Sequence, residues 1–274
     1  MRFATLRTAD GRTTAVIQTG ERWSRLPAPD LSAYLQTFYG QPAQSLAGET
    51  VQGEIVLPLP SPSKVVCCGL NYADHITEMG RDLPQYPTLF AKHADTLTGP
   101  DSRITLPEGL HVDWEAELAV VVGQHLKGAT RAEAADAIWG YTVANDVSVR
   151  DWQARTLQWF QGKAWDATTP IGPVVVTADE LDPLDGVEVI ARVDGTERQR
   201  GNTKTLVFDA ADLLAYVSTF TRLRPGDLVL TGTPGGVGMG MVPPQYLDDG
   251  ALLETEIPGI GTIRNRIDFP TSRS

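Results

Sequence analysis

Cysteine is nearly missing from this chain of 274 residues, and the two that occur, Cys67 and Cys68, are adjacent. Neighbours in sequence rarely form a useful structural bridge, so no disulfide framework is expected, and the chain reads as a protein of a reducing, cytosolic compartment. A long hydrophobic run is missing too. No stretch reaches bilayer-spanning length, and the start, Met1-Arg2-Phe3-Ala4-Thr5, lacks the apolar core of a signal peptide. There is no excess of positive charge: 23 basic against 34 acidic residues leave a formal net charge of -11. That argues against nucleic acid or an anionic membrane as the main partner. It also makes an acidic substrate awkward, unless a metal or local cations reverse the field at the site. Internal repeats and low-complexity segments are absent.

What is present fits one fairly large domain with a small N-terminal appendage. A chain this long buries about three-quarters of its unfolded surface and needs no covalent staples. Phe3 to Leu6 and Thr14 to Ile17 flank an Asp10-Gly11 turn, a hairpin signal. Asp30 caps a helix from Leu31. Prolines at 58, 60 and 62 mark a boundary, giving a domain of residues 1–60 and a second of 61–274. Val65 to Gly69 reads as a strand, Asn71 to Met79 as a short helix or ordered turn, and residues 80–110 as a long loop. Thr130 to Glu133 is a capping box. Trp139 to Ala144 alternates like a strand. Ser148 to Asp151 repeats the capping pattern, predicting a helix through about Trp159. Strands follow at 171–176 and 187–193, a helix capped by Asp209 runs to Phe220, and paired strands close the chain around Pro258-Gly259. Strand dominates without regular βαβ alternation, which predicts an α+β, mixed β-rich fold with helices outside.

The chemistry starts at Asp113-Trp114-Glu115-Ala116-Glu117, which leads into the apolar run Leu118 to Val122. Strand alternation predicts Asp113, Glu115 and Glu117 on one face. Acids entering a buried strand repel one another and are costly to desolvate, so they need a cation. Taken alone they also fit a strand end in water. Asp146, again an acid at the end of an apolar strand, shifts the balance. Three carboxylates without histidine or thiol suit a hard divalent cation, Mg²⁺, Mn²⁺ or Ca²⁺, and not zinc.

The chain has four histidines. One of them, His75, stands three residues before Glu78, so on a helix the two share a face and form a candidate general-base pair or a solvated polar face. Lys163, among Trp159, Phe160 and Trp165, is a positioned cation for an oxyanion or a snorkelling surface lysine. The glycine-rich stretch Thr231 to Gly240 follows a strand. Its prolines open no helix and no GK[ST] is present, so it is no nucleotide loop. It reads as a loop bringing backbone N–H groups and the Thr233 hydroxyl to a small substrate.

Together these residues resemble the fumarylacetoacetate hydrolase family. The resemblance rests on Gly69-Leu70-Asn71-Tyr72-Ala73-Asp74-His75 with Glu78, Glu115-Ala116-Glu117-Leu118, Asn145 through Gln153, Gly162-Lys163-Ala164-Trp165-Asp166 before Pro170-Ile171-Gly172-Pro173, and Thr231-Gly232-Thr233-Pro234. It implies a mixed β-roll with peripheral helices, a small β-rich N-terminal domain and a homodimer. It implies that Glu115, Glu117 and Asp146 bind Mg²⁺ or a similar ion, and that His75 and Glu78 form a water-activating dyad. Lys163, Gln153 and Arg150 then surround the oxyanion, and Thr233 contacts substrate. Lys92-His93-Ala94-Asp95 and Ala164-Trp165 depart from the family pattern, which places specificity in residues 80–110 and around Trp165.

The activity implied is cleavage of a C–C bond in an acylpyruvate-like 2-oxo acid, with a small anionic 2-oxo or diketo acid as partner. Oxaloacetate decarboxylation, or isomerisation or hydration of dienoic acids from aromatic degradation, is the alternative on the same site. A metal-binding protein without catalysis is a further reading, against which His75, Glu78 and Lys163 speak.

Overall fold

A computed structural model describes residues 1–78 and 82–270, with the side chains of His75 and Glu78 outside that description. Among the described residues the architecture is two large sheets and one two-stranded sheet, with few helices. The larger sheet has twelve strands. Its centre runs Arg2–Arg7, Thr169–Thr177, Ile138–Asn145, Ala116–Val122, Leu228–Leu230, Val65–Gly69 and Thr88–Lys92. The N-terminal hairpin extends it, with Phe3 opposite Val175. The second sheet has five strands, built on Glu188–Val193, Leu252–Ile257 and Gly261–Asp268. This is the mixed, strand-dominated α+β fold expected from the sequence.

Strand Ala116–Val122 explains the order. All seven residues are buried. Leu118, Val120 and Val122 join the core between the sheets, with Leu253 and Ile263, while Ala119 and Val121 join a second core with Phe3, Leu31 and Leu35. A strand covered by a core on both faces is apolar where it runs between them, hence the unbroken run Leu118 to Val122, with Glu117 before it as the exception. Asp30 caps helix Leu31–Phe38 by accepting from the Ala33 N–H, and Asp209 with Asp212 forms a reciprocal capping box on Ala210–Phe220.

Three local expectations fail. Residues 80–110 are not all loop: Thr88–Lys92 is a strand paired with Val65–Gly69, and Leu97–Thr98 and Arg103–Thr105 pair elsewhere. No helix starts at Ser148. Ser148–Val149 pairs with Val112–Asp113, and the chain then makes two short helices, Arg150–Gln153 and Phe160–Lys163. Nor do Asp113, Glu115 and Glu117 share one strand face, because Trp114 and Glu115 interrupt the strand and the period of two does not carry across.

Leu253 is fully buried between the two sheets, away from the acids. Leu253→Ala should cost about 2–5 kcal/mol. Urea unfolding checks this: the midpoint should fall with the slope unchanged.

Candidate metal centre

Antiparallel register assembles the site. Ala116 lies opposite Asn145, and the pairing runs on past the strand ends, where the Asp146 N–H donates to the Glu115 carbonyl at 2.8 Å. The Asn145 side chain reinforces this by accepting from the Glu115 N–H at 3.0 Å. On the other flank Ala119 pairs with Leu230, which brings Gly232 to Glu117, and the Gly232 N–H donates to Glu117 Oε2 at 2.7 Å. Gly232 has φ +98, and a Cβ there would stand 2.8 Å from the Cys68 carbonyl oxygen, so a side chain is excluded. The result is three buried carboxylates, Glu115, Glu117 and Asp146, with ligand oxygens within 4.8 Å of one another.

Cations crowd them from three segments. The Lys163 ammonium donates to Glu115 Oε2 and Asp146 Oδ2, each at 2.7 Å. Lys92 donates to Asp146 Oδ1 at 2.5 Å, with both side chains fully buried. Arg150 Nη1 lies 2.7 Å from Glu115 Oε1, and its Nε donates to Asp113 Oδ2 at 2.8 Å. The Ser148 hydroxyl donates to Glu115 Oε1 at 2.8 Å, the role it takes in place of a helix cap.

Electrostatics follow from this geometry. Burial alone would depress Lys163, but Asp146 and Glu115 hold its ammonium above the usual lysine range. Burial would raise Asp146, but Lys163 and Lys92 bring it below the ordinary carboxylate value. Burial would lower Arg150, yet Glu115 and Asp113 raise it. Glu117 is different. Burial, then Asp146 and Glu115, push it well above the usual range, and among the described residues it has no direct ion pair. Four buried acids, with Asp113 included, face three cations, so one negative charge is left uncompensated. The oxygen-only donor set and this surplus charge fit a divalent hard cation at Glu115, Glu117 and Asp146.

A cavity of about 450 Å³ opens onto Glu115, Lys163, Arg150, Gln153 and Thr233. The residues singled out in the sequence therefore come together, with two exceptions. His75 and Glu78 belong to helix Ala73–Glu78, and their side chains lie outside the described residues. Thr233 stands on the cavity wall, but its hydroxyl donates to the Ala116 carbonyl at 2.9 Å and accepts from Gln199 Nε2 at 2.8 Å. Trp165 does not line this cavity; it packs edge-on against Trp152, ring centroids 5.1 Å apart.

Sequence reasoning missed Lys92, Ser148 and Gln199 as parts of the frame. Gln199 holds the site strand at Ala116, accepting from its N–H at 2.9 Å. Lys92 carried a usable signal, since it follows Leu89-Phe90-Ala91 as Asp146 follows its own apolar strand. The other two act through partners far away in the chain, and nothing local marks them.

The description "Fumarylacetoacetate (FAA) hydrolase C-terminal" matches residues 64–268. The chain belongs to the fumarylacetoacetate hydrolase family. Within the family it is 43% identical over 218 residues to "Oxaloacetate tautomerase Fahd2a, mitochondrial" of Rattus norvegicus, covering 79% of this chain and 70% of the relative. The human counterpart is 43% identical over 213 residues, 77% of this chain and 68% of the relative. Among solved structures, the fumarylacetoacetate hydrolase of Exiguobacterium antarcticum superposes with TM-score 0.87 at 34% identity, covering 98% of this chain and 100% of that one. A fumarylpyruvate hydrolase from Pseudomonas aeruginosa, solved with Mn²⁺ and pyruvate, gives TM-score 0.67 at 32% identity, 76% of this chain and 90% of that one.

This family member should lose its metal when a ligand is removed. Changing groups behind metal ligands already costs about 10–100-fold in affinity, so Glu117→Ala should exceed that, read as Mn²⁺ binding by calorimetry. The thiols give an independent check on burial. Burial first, then Glu117, pushes Cys68 up to about 12, and burial first, then Asp146, raises Cys67 well above the usual thiol range. Both stay protonated near neutrality, so folded protein should resist iodoacetamide at pH 8. Mass spectrometry showing labelling as fast as in urea would contradict this.

Proposed function

We propose that this protein is a divalent-metal enzyme that forms and reprotonates the enolate of a small anionic 2-oxo acid, with keto–enol tautomerisation of oxaloacetate or a close analogue as its reaction. The observation that carries the reading is Lys163. Its buried ammonium bridges two of the three clustered carboxylates at 2.7 Å and also stands on the cavity wall beside Arg150 and Gln153. The relatives named as oxaloacetate tautomerases support tautomerisation over other outcomes on such a site.

A divalent cation, Mg²⁺ or Mn²⁺ or with less support Ca²⁺, supplies counter-charge and Lewis acidity at Glu115, Glu117 and Asp146. The chain's own groups do the rest. Lys163 places fixed positive charge where an enolate oxygen develops its own charge. Arg150 Nη1 donates to Gln153 Oε1 at 2.8 Å, which turns the amide so that Nε2 is left to donate to a substrate oxygen. Arg150 is satisfied by Asp113 and Glu115, so it orients its neighbours and screens the substrate's negative charge. Thr233 forms part of the wall. His75 and Glu78 act as the proton-moving pair, exchanging a proton with the carbon next to the carbonyl.

Hydrolytic cleavage of an acylpyruvate is the second reading. The apolar residues at the cavity mouth, Leu157 and Met239 among them, favour it, because an acyl group needs such a surface and oxaloacetate does not. The same pair would then deprotonate water. We also propose residues 1–60 as a small N-terminal domain on a catalytic domain of 61–274, a homodimer, supported by the exposed Val242, and a cytosolic setting. Among the described residues no helix is long and apolar enough to cross a membrane.

The test is turnover of enol-oxaloacetate and of an acylpyruvate, with Mn²⁺ and with EDTA. Metal-dependent loss of oxaloacetate enol absorbance, with neither carbon dioxide nor pyruvate formed, is the expected result. Pyruvate formed from the acylpyruvate would move the assignment to the hydrolase, and carbon dioxide from oxaloacetate to a decarboxylase. Metal binding without turnover of any 2-oxo acid would sink the enzymatic reading. His75→Ala should keep Mn²⁺ affinity and lose about 100-fold or more in kcat.

A further inference from the structure

Asp113 takes no part in the acidic cluster, yet its fully buried carboxylate accepts four hydrogen bonds. The donors are Trp114 N at 2.8 Å, Gly238 N at 2.7 Å, Met239 N at 2.9 Å and Arg150 Nε at 2.8 Å. One end of this hub is Arg150, which touches Glu115. The other is the turn Gly238–Gly240, flanked by Val237. A second pin holds the same segment, since the Trp114 indole donates to the Gly236 carbonyl at 3.1 Å. Space is tight at Gly238, where a Cβ would meet the Gln245 carbonyl at 2.0 Å and Asp113 Oδ1 at 2.8 Å.

Val237 and Met239 line the cavity. Exposure orders its wall from inside to outside: Lys163 and Glu115 are buried, whereas Met239 is half exposed and Leu157 wholly so. Among the described residues, the charged groups on the wall are Glu115, Lys163 and Arg150, all of them buried at the inner end. The outer part is mostly apolar, with Phe90, Trp159, Leu157 and Met239 and one hydroxyl, that of Thr156, while Val237 is buried and joins it to the inner end.

We propose that the Val237–Met239 wall, pinned through Asp113 to Arg150, is the specificity-determining element of this cavity and selects 2-oxo acids whose far substituent is apolar over those ending in a second, distant carboxylate. The proposal rests on the reading of the cavity as a 2-oxo acid site. A distant carboxylate set against this wall loses water and gains no cation among the described residues. An alkyl substituent there gains about threefold to fourfold in binding per buried methylene. Asp113 is a positioning residue: it fixes the wall relative to the group that orients Gln153, so that the length of the substrate is measured from its reacting end.

The experiment compares hexanoylpyruvate with the same molecule ending in a carboxylate, on Mn²⁺-loaded protein, by loss of the enol absorbance, which tautomerisation and hydrolysis both cause, and by calorimetric binding. Wild type should favour hexanoylpyruvate by about 100-fold in kcat/KM. Met239→Arg, at a half-exposed position that tolerates a long side chain, should narrow that preference at least tenfold. Asp113→Asn removes acceptors for Met239 and Arg150. It should raise KM for hexanoylpyruvate more than it lowers kcat, with Mn²⁺ affinity within twofold of wild type. Equal handling of the two compounds by wild type, or an unchanged preference in Met239→Arg, overturns the wall. Loss of Mn²⁺ binding in Asp113→Asn, or an equal fall in kcat on both compounds, overturns the positioning role. Binding of neither compound to wild type that still turns over enol-oxaloacetate overturns the wall alone, whereas no turnover of oxaloacetate either removes the 2-oxo acid reading with it.

Discussion

Buried charge is the constraint on which this structure depends. Four carboxylates sit around the ends of the central strands largely out of water, with only Glu115 reaching the cavity, and isolated ions there would cost several kcal/mol each. The chain meets this with lysines and an arginine from three separate segments, Lys92, Lys163 and Arg150. Each ion pair is also a tie between segments. Lys92 fixes the end of strand Thr88–Lys92, Lys163 fixes the short helix Phe160–Lys163, and Arg150 fixes the crossing at Val112–Asp113 and Ser148–Val149. The compensation is incomplete by one charge, centred on Glu117. An incomplete cluster is a poor stabiliser and a good cation site, so its persistence in the core is better explained by binding than by folding.

Placement and selection are divided between different kinds of element. The three candidate ligands come from strand ends, where register leaves little freedom: Glu115 faces Asp146 because Ala116 faces Asn145, and Glu117 meets Gly232 because Ala119 faces Leu230. Those pairings are locked by cores on both faces of the sheet. The outer wall comes from a turn instead, and the turn is tied to the ligand shell by Asp113 alone among the acids. A fold arranged this way can keep its reacting end fixed while the far end of the substrate is varied by changing a few turn residues.

Legibility in the sequence followed the same division. Glu115, Glu117 and Asp146 stood out because an acid abutting an unbroken apolar run is an electrostatic anomaly visible within a few residues. The capped helices at Asp30 and Asp209 and the hairpins were equally local, and they are where the sequence placed them. Asp113 was misplaced because two-residue periodicity was carried across Trp114 and Glu115, where the strand is interrupted. Ser148 was misplaced because a hydroxyl two residues before a short helix offers the same pattern whether it caps or, as here, bonds Glu115. Strand Thr88–Lys92 was hidden among glycines and prolines that signal loop, since its pairing partner, Val65–Gly69, supplies the order that its own composition does not. What the sequence withheld was tertiary: which cation answers which acid.

Enolate tautomerisation, decarboxylation and hydrolysis place the same demand on the inner end of such a cavity, namely a fixed positive field where one oxygen becomes charged. On the proposed reading, Lys163 together with a cation held by the acid cluster would meet that demand for any of them, so these residues cannot select among the outcomes. Selection has to come from what reaches the carbon next to the carbonyl: a proton alone, or water that adds to a second carbonyl further out. That second carbonyl would stand near the outer wall, where Phe90, Trp159, Val237 and Met239 replace water with apolar surface. An apolar outer wall shields the enolate from bulk water and favours return of the proton, unless a bound acyl group admits a single water. On that reading the balance between tautomerase and hydrolase chemistry lies with the wall and the proton-moving pair proposed at His75 and Glu78, and the strands that carry the candidate ligands are common ground for both.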